Sequence, residues 1–271
     1  LRNPADHFVS GSIAEALNRI QFMVQHGRRF GILYGPRGIG KSSLFRYYAN
    51  YSSRFPKQLT PWIDLAGVSP AGIAKRFRDA LAEELGTADS RSEGESHGTS
   101  VSRYLQEFDE LLLAHNAMGR RPVLLLDHAE DADKEIFQTL GILLRRPGQW
   151  SAILAMDESL LVEIPRRILE ECDLRLDLPE WDLGLTAEYF EQAQSRCGMG
   201  GPWFTAQAIT RLHELGDGVP RRMFQIADLA WLAGLEKRLD TIDSDLVEQV
   251  CDENSFGMGA HRVSVYHAGN G

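Results

Sequence analysis

Cysteine is scarce. The 271 residues hold three, Cys172, Cys197 and Cys251, with neither a CxxC spacing nor a Cys/His ligand pattern. An odd, scattered set excludes a disulfide scaffold and reads as reduced thiols in a cytosolic protein. The eight histidines form neither HExxH nor His-x-His, so no structural metal is expected. Long apolar runs are missing too. The strongest, Val123 to Leu126, is a strand's worth, far short of the ~18–20 residues of a membrane span. No membrane insertion is therefore expected. The opening Leu1-Arg2-Asn3-Pro4-Ala5-Asp6 lacks the basic-then-apolar order of a secretory leader, and the expected location is the cytoplasm. Excess positive charge is also lacking. Against 38 Asp and Glu stand 29 Lys and Arg, a net charge of −9, with a pI near 5.4. That balance disfavours broad electrostatic attachment to nucleic acid or anionic lipid.

What is present looks like an ordinary soluble chain, 43% hydrophobic and 25% charged. Short apolar runs alternate with longer amphipathic ones, the pattern of helices packed on a mostly parallel sheet. Strands are expected at Phe30–Tyr34, Pro61–Leu65, Pro122–Asp127, Ser151–Ala155 and Asp173–Leu178. Helices are expected to about Gln25 from a cap at Ser10 or Ser12, then over Lys41–Tyr51, from Ser69-Pro70 to Leu85, and over Val101–Ala117 and Lys134–Arg145. Residues 87–100 carry no large apolar side chain and read as a mobile insertion. After Pro179 the strand signals stop, and four helical stretches follow: Thr186–Ser195, Thr205–Leu215, Arg221–Leu235 and Asp243–Cys251. The expected division is an α/β core over 1–182, an all-α subdomain over 183–252 and a Gly-rich tail over 253–271.

One motif carries chemistry. Gly35-Pro36-Arg37-Gly38-Ile39-Gly40-Lys41-Ser42 fits the phosphate-binding pattern GxxxxGK[ST] without a mismatch. Its glycines let successive N–H groups turn inward toward phosphate oxygens, and the following helix adds the positive end of its dipole. Lys41 is expected to reach the β- and γ-phosphates of ATP and Ser42 to ligate Mg²⁺, with Ser43 completing the nucleotide-binding set. The motif stands between an expected buried strand and an expected helix, which is the context it requires. Val123-Leu124-Leu125-Leu126-Asp127 supplies a second feature, an apolar strand ending in an acid. Asp127 is the expected metal-side carboxylate.

The loop, the apolar strand ending in Asp, the five strands and the trailing helices together resemble the AAA+ ATPases. More closely they resemble the general secretion pathway A (ExeA-type) group, near the transposition-regulator ATPases and the origin-recognition initiators. Ala14-Glu15-Ala16-Leu17-x-x-Ile20 followed by Phe30-Gly31-Ile32-Leu33-Tyr34-Gly35 is similar to that group's first helix and strand. The resemblance implies a three-layer αβα P-loop core with a five-stranded parallel sheet and an all-α lid. It also implies roles for further residues. Gly218-Val219-Pro220-Arg221 looks like a sensor-2 motif whose arginine, Arg221, contacts the γ-phosphate. Arg167 falls where such proteins carry the arginine finger that completes a neighbouring subunit's site. Asp157 lies nearest the sensor-1 position. One residue departs from the pattern: the family's catalytic Glu after the strand-ending Asp is here His128, with Glu130 two further on. A neutral imidazole accepts a proton but reaches less far and aims differently, so slow or partner-dependent hydrolysis is expected.

Three functions follow from this reading. The first is an AAA+ ATPase that assembles as an ATP-dependent homo-oligomer and acts on a protein partner. In the secretion group a membrane span and a wall-binding module commonly follow the ATPase domain; neither is recognisable in this sequence, which weakens the expectation of a role in secretion specifically. The second is a nucleotide-gated switch with vestigial hydrolysis. The third is ATP-dependent DNA binding of the transposition or initiator type, which would need the Arg28-Arg29, Arg120-Arg121, Arg145-Arg146 and Arg166-Arg167 pairs to form a local positive track.

Overall fold

The computed structural model describes residues 11–86, 101–133, 135–197 and 203–254. The insertion expected at 87–100, the cap expected at Ser10 and most of the expected tail lie outside them. The chain divides into two compact units, one reaching to Glu180 and the other beginning at Trp181.

The first unit is built on a parallel sheet. Its strands are β1 (Phe30–Gly35), β2 (Gln58–Leu59), β3 (Trp62–Asp64), β4 (Arg121–Asp127), β5 (Ser151–Asp157) and β6 (Leu174–Asp177). The order is β2-β4-β5-β1-β6, with β3 also paired to β4. The short β2 and β3 therefore share one edge position, and the sheet has five positions. β4 is buried from Pro122 through Asp127 and β5 from Ser151 through Met156, which is why both read as continuous apolar runs rather than alternating ones.

Helices cover both faces. On one lie α3 (Pro70–Glu84), α4 (Val101–Ala117) and α5 (Ile136–Leu144), packed on Phe30, Ile32, Leu124, Leu126, Ala152, Leu154 and Met156 in one continuous core. Phe108 sits at its centre, fully buried, with ring centroids 5.8 Å from Phe77 and 5.5 Å from Trp150. On the other face lie α1 (Gly11–Gln25) and α2 (Lys41–Ser52). Here Tyr48 Oη donates to Gln21 Oε1 at 3.1 Å and accepts from Gln58 Nε2 at 2.7 Å, so the buried polar groups tie α1, α2 and the edge strand together. Ser69 caps α3 as its position before a proline implies: its hydroxyl accepts from the Gly72 N–H at 3.2 Å.

Between β5 and β6 runs a short helix, α6 (Arg166–Glu170), which the sequence pattern does not separate from its flanks. The second unit packs α7 (Leu183–Cys197), α8 (Ala206–Leu215), α9 (Pro220–Glu236) and α10 (Ser244–Glu253). Tyr189 and Phe224 stack at 4.5 Å within it. This unit departs from the expectation that strands end at Pro179. β7 (Trp203–Phe204) and β8 (Thr241–Ile242) form a parallel pair. Two residues each are too few to show a period of two, and the pairing joins segments nearly forty positions apart, so no local signal announces it.

Candidate functional site

The parallel register aligns four strand ends along one edge of the sheet. Asp64 on β3 is level with Asp127 on β4, and Gly35 on β1 is level with Asp157 on β5. Since β5 lies between β4 and β1, the two signature features of the sequence flank one strand. Open α/β sheets bind their ligands in this crevice, beyond the carboxyl ends of the strands.

The loop from Gly35 to Gly40 forms here for identifiable backbone reasons. A Cβ on Gly35 would lie 2.4 Å from the Leu178 carbonyl oxygen, so only glycine fits where the chain passes that backbone. Gly40 has φ 115°, a left-handed conformation that lets the loop turn directly into α2. Lys41 then opens the helix with its side chain buried. Its Nζ donates to the carbonyls of Gly35 at 2.8 Å and Pro36 at 3.1 Å. Ser42 and Ser43, half-buried, follow in the first turn, where the amides have no intrahelical acceptor. Ile39 is buried beneath the loop, and Arg37 points outward. Arg37 forms a forked pair with Asp131, at 3.2 Å to Oδ1 and 3.0 Å to Oδ2.

Asp127 is 1% exposed. Its Oδ1 accepts from the His128 N–H at 3.0 Å, while Oδ2 is buried and makes no hydrogen bond among the described residues. A buried carboxylate oxygen without a donor is costly unless a cation or an ordered water meets it. An oxygen-rich set of Asp127 and Ser42 suits a hard cation such as Mg²⁺. The donor chemistry therefore fits the metal that the sequence motif implies.

His128 stands in the left-handed region, φ 57° and ψ 44°, and its Nδ1 lies 3.1 Å from Asp64 Oδ1. Partial burial pulls the imidazole pKa down, but the Asp127, Asp64 and Glu130 carboxylates outweigh it and hold the ring above its ordinary range. Asp64 shifts the other way. Burial raises it, yet the Ala66 N–H, the His128 ring and Arg76 together lower it. Sequence reasoning missed Asp64, which belongs to no motif and meets His128 only across the sheet.

Glu130, on a 3-10 turn over Ala129–Asp131, folds back across β5. Its Oε2 accepts from the Asp157 N–H at 3.2 Å. Asp157 caps the next 3-10 turn, its Oδ1 accepting from Ser159 N at 3.1 Å and Ser159 Oγ at 2.9 Å. Arg167 lies apart from the row of strand ends. It is exposed on α6 and, with Arg145 and Glu171, lines a cavity of about 300 Å³ against α5. Arg221, in the first turn of α9, is exposed, and Arg222 beside it pairs with Asp217 at 2.8 Å.

Most of the paired arginines are engaged within the fold. The Arg29 guanidinium donates to the carbonyls of Leu144, Arg146 and Gly148, and that of Arg121 to Val24. Arg28 pairs with Asp173, Arg145 with Glu171, Arg146 with Asp109 and Arg166 with Glu170.

A five-position parallel sheet of this order, with a glycine-rich phosphate loop after β1 and a buried acid ending β4, defines the AAA+ class of P-loop ATPases. A family model described as AAA ATPase domain matches residues 13–156, just over half the chain, and the protein belongs to that family. General secretion pathway protein A of Aeromonas hydrophila is similar at 24% identity over 248 residues, covering 87% of this chain and 42% of that protein. The chain thus spans less than half the length of that relative. The Aeropyrum pernix ORC2 protein, in its ADPNP-ADP complexes, has the same fold with a TM-score of 0.63 at 16% identity, over 93% of this chain and 71% of that one. The Aeropyrum pernix ORC1 protein in complex with DNA gives 0.65 at 15% identity, over 94% and 68%. Among the described residues, no helix is long and apolar enough to cross a membrane.

Proposed function

We propose that the protein binds Mg-ATP at the β1 and β4 ends, hydrolyses it slowly, and uses the nucleotide to assemble with further copies and act on a protein partner. The observation that carries this reading is the orphaned Oδ2 of Asp127, buried at the end of β4 and one strand away from the phosphate loop. In this reading the loop amides and Lys41 hold the β- and γ-phosphates, and Ser42 and Asp127 hold the cation. Bound Mg²⁺ neutralises charge developing on the phosphate oxygens. His128 takes the proton of the attacking water in place of the family's glutamate, and its shorter reach makes turnover slow. Glu130, already accepting from Asp157 N–H, fixes the turn after β4. Arg221 senses the γ-phosphate from the lid, residues 183–252, and Arg167 serves a neighbour's site.

The test is calorimetry and phosphate release on one preparation. Lys41→Ala should abolish ATP binding, and His128→Glu should raise turnover about tenfold or more. Undiminished ATP affinity in Lys41→Ala would remove the loop from the account. A second reading, a nucleotide-gated switch without hydrolysis, is favoured by the engagement of His128 with Asp64. It predicts ATP binding with no phosphate release above the Lys41→Ala background. DNA binding of the kind named for the Aeropyrum pernix ORC1 complex is less favoured, because Arg29 and Arg121 are tied to backbone carbonyls and Arg28, Arg145, Arg146 and Arg166 already face carboxylates.

A further inference from the structure

The cavity between α5 and α6 stands apart from the row of strand ends. Arg29, the residue before β1, donates to the carbonyls of Leu144, Arg146 and Gly148. The last turn of α5 therefore lies at the amino-terminal edge of the parallel sheet, opposite the phosphate loop. Gly141 lets the two helices approach closely: a Cβ there would meet Ile168 Cδ1 at 3.1 Å. Buried Ile168 and half-exposed Ile142 give the cavity apolar surface. Its volume, about 300 Å³, is within the range of small-molecule sites.

The charge around it is one-sided. Arg145, Arg146 and Arg167 line the cavity with a single carboxylate, Glu171, in a chain whose net charge is −9. The internal partners are loose. Arg145 meets Glu171 at 3.6 Å with both side chains well exposed, and Arg146 meets Asp109 of α4 at 3.5 Å. Arg146 Nε is buried without an acceptor among the described residues, and Arg167 has no carboxylate within ion-pair reach among them. The carbonyls ending a helix ordinarily repel an anion, but those ending α5 are taken up by the Arg29 guanidinium. Guanidinium forks match oxyanions in shape as well as charge. A carboxylate offers two oxygens and one charge, whereas a phosphomonoester offers three oxygens and nearly two charges, which suits three guanidiniums better.

We propose that the α5–α6 cavity binds a phosphomonoester carried on a short apolar body, with Arg145, Arg146 and Arg167 on the phosphate and Ile142 and Ile168 against the body. This anion site is separate from the nucleotide site and does not depend on it.

Calorimetry of the Lys41→Ala protein, in which the phosphate loop is disabled, measures the binding of n-butyl phosphate, capped phosphoserine, inorganic phosphate and butanoate. Butyl phosphate should bind once per chain with a Kd of about 1 mM or tighter, about tenfold tighter than butanoate and about threefold tighter than inorganic phosphate. Arg145→Ala and Arg167→Ala should each weaken it about tenfold. Glu171→Gln should tighten it about two- to fivefold by releasing Arg145. Arg166→Ala, which removes a side chain 91% exposed and outside the cavity lining, should leave it within twofold. Capped phosphoserine binding more tightly than butyl phosphate supports the site and names a modified side chain of a protein partner as the source; the reverse order supports it and names a free metabolite. Absence of binding by both phosphomonoesters, affinity that Arg145→Ala and Arg167→Ala leave unchanged, an equal loss in Arg166→Ala, or butanoate or inorganic phosphate binding as tightly as butyl phosphate overturns the proposal. The nucleotide site is read separately, from the ATP affinity lost between wild type and Lys41→Ala, so either site can fail alone.

Discussion

Gly35 is the residue where the loop and the fold depend on each other most directly. An added Cβ would sit 2.4 Å from a backbone carbonyl, and backbone cannot swing aside as a side chain can. Gly35→Ala should therefore cost about 1–3 kcal/mol of stability and weaken ATP binding more than tenfold, read by denaturant unfolding and by calorimetry. Glu130 tests a different point. A glutamine at 130 keeps an oxygen for the Asp157 N–H, so Glu130→Gln should lower turnover less than about threefold. A fall of ~10²-fold or more would make Glu130 the proton acceptor and displace His128 from that role. At this scale the sequence motif names Lys41, Ser42 and Asp127, because each is defined by neighbours within eight positions. It does not name Asp64, whose partner lies 64 positions away.

Among the elements, α4 shows how fully periodicity can specify a helix. Leu105, Phe108, Leu112 and His115 recur at helical spacing and are all buried, and the observed bounds, Val101–Ala117, are those the pattern predicts. Phe108→Ala removes the ring between Phe77 and Trp150 and should cost about 3–5 kcal/mol, measured by thermal or denaturant unfolding. Short elements behave otherwise. β2, β7 and β8 have two residues each, too few for a hydrophobic period, and exist because a neighbouring strand offers them hydrogen bonds. The 3-10 turn after β4 is tied to the loop through the Arg37–Asp131 pair. Both partners are well exposed, so the pair adds little to stability; its effect is to hold the loop beside the turn that carries Glu130.

For the whole molecule, the nucleotide reading implies linkage between binding and stability. A ligand that binds only the folded state contributes about 2.7 kcal/mol at a hundred times its Kd. Mg-ATP should therefore raise the unfolding midpoint, and the rise should vanish in Lys41→Ala, as calorimetric scans would show. Assembly adds a concentration dependence. If Arg167 serves a neighbour's site, turnover per chain should climb with protein concentration in parallel with mass. Arg167→Ala should flatten the rate while ATP affinity stays within twofold. A concentration-independent wild-type rate would assign Arg167 to the α5–α6 cavity alone.

The amino-acid order by itself determined the phosphate loop, the acid ending β4, and the alternation of strands and helices. Each of these is written in residues close together, where spacing translates directly into backbone geometry. Only the tertiary structure decided what those residues face. Asp64 with His128, Glu130 with Asp157, and Arg37 with Asp131 lie 64, 27 and 94 positions apart. They meet because the parallel order brings the ends of β3, β4, β5 and β1 to one edge. Strand order is set by how helices cover both faces of the sheet, a property of the packed whole that no local window contains.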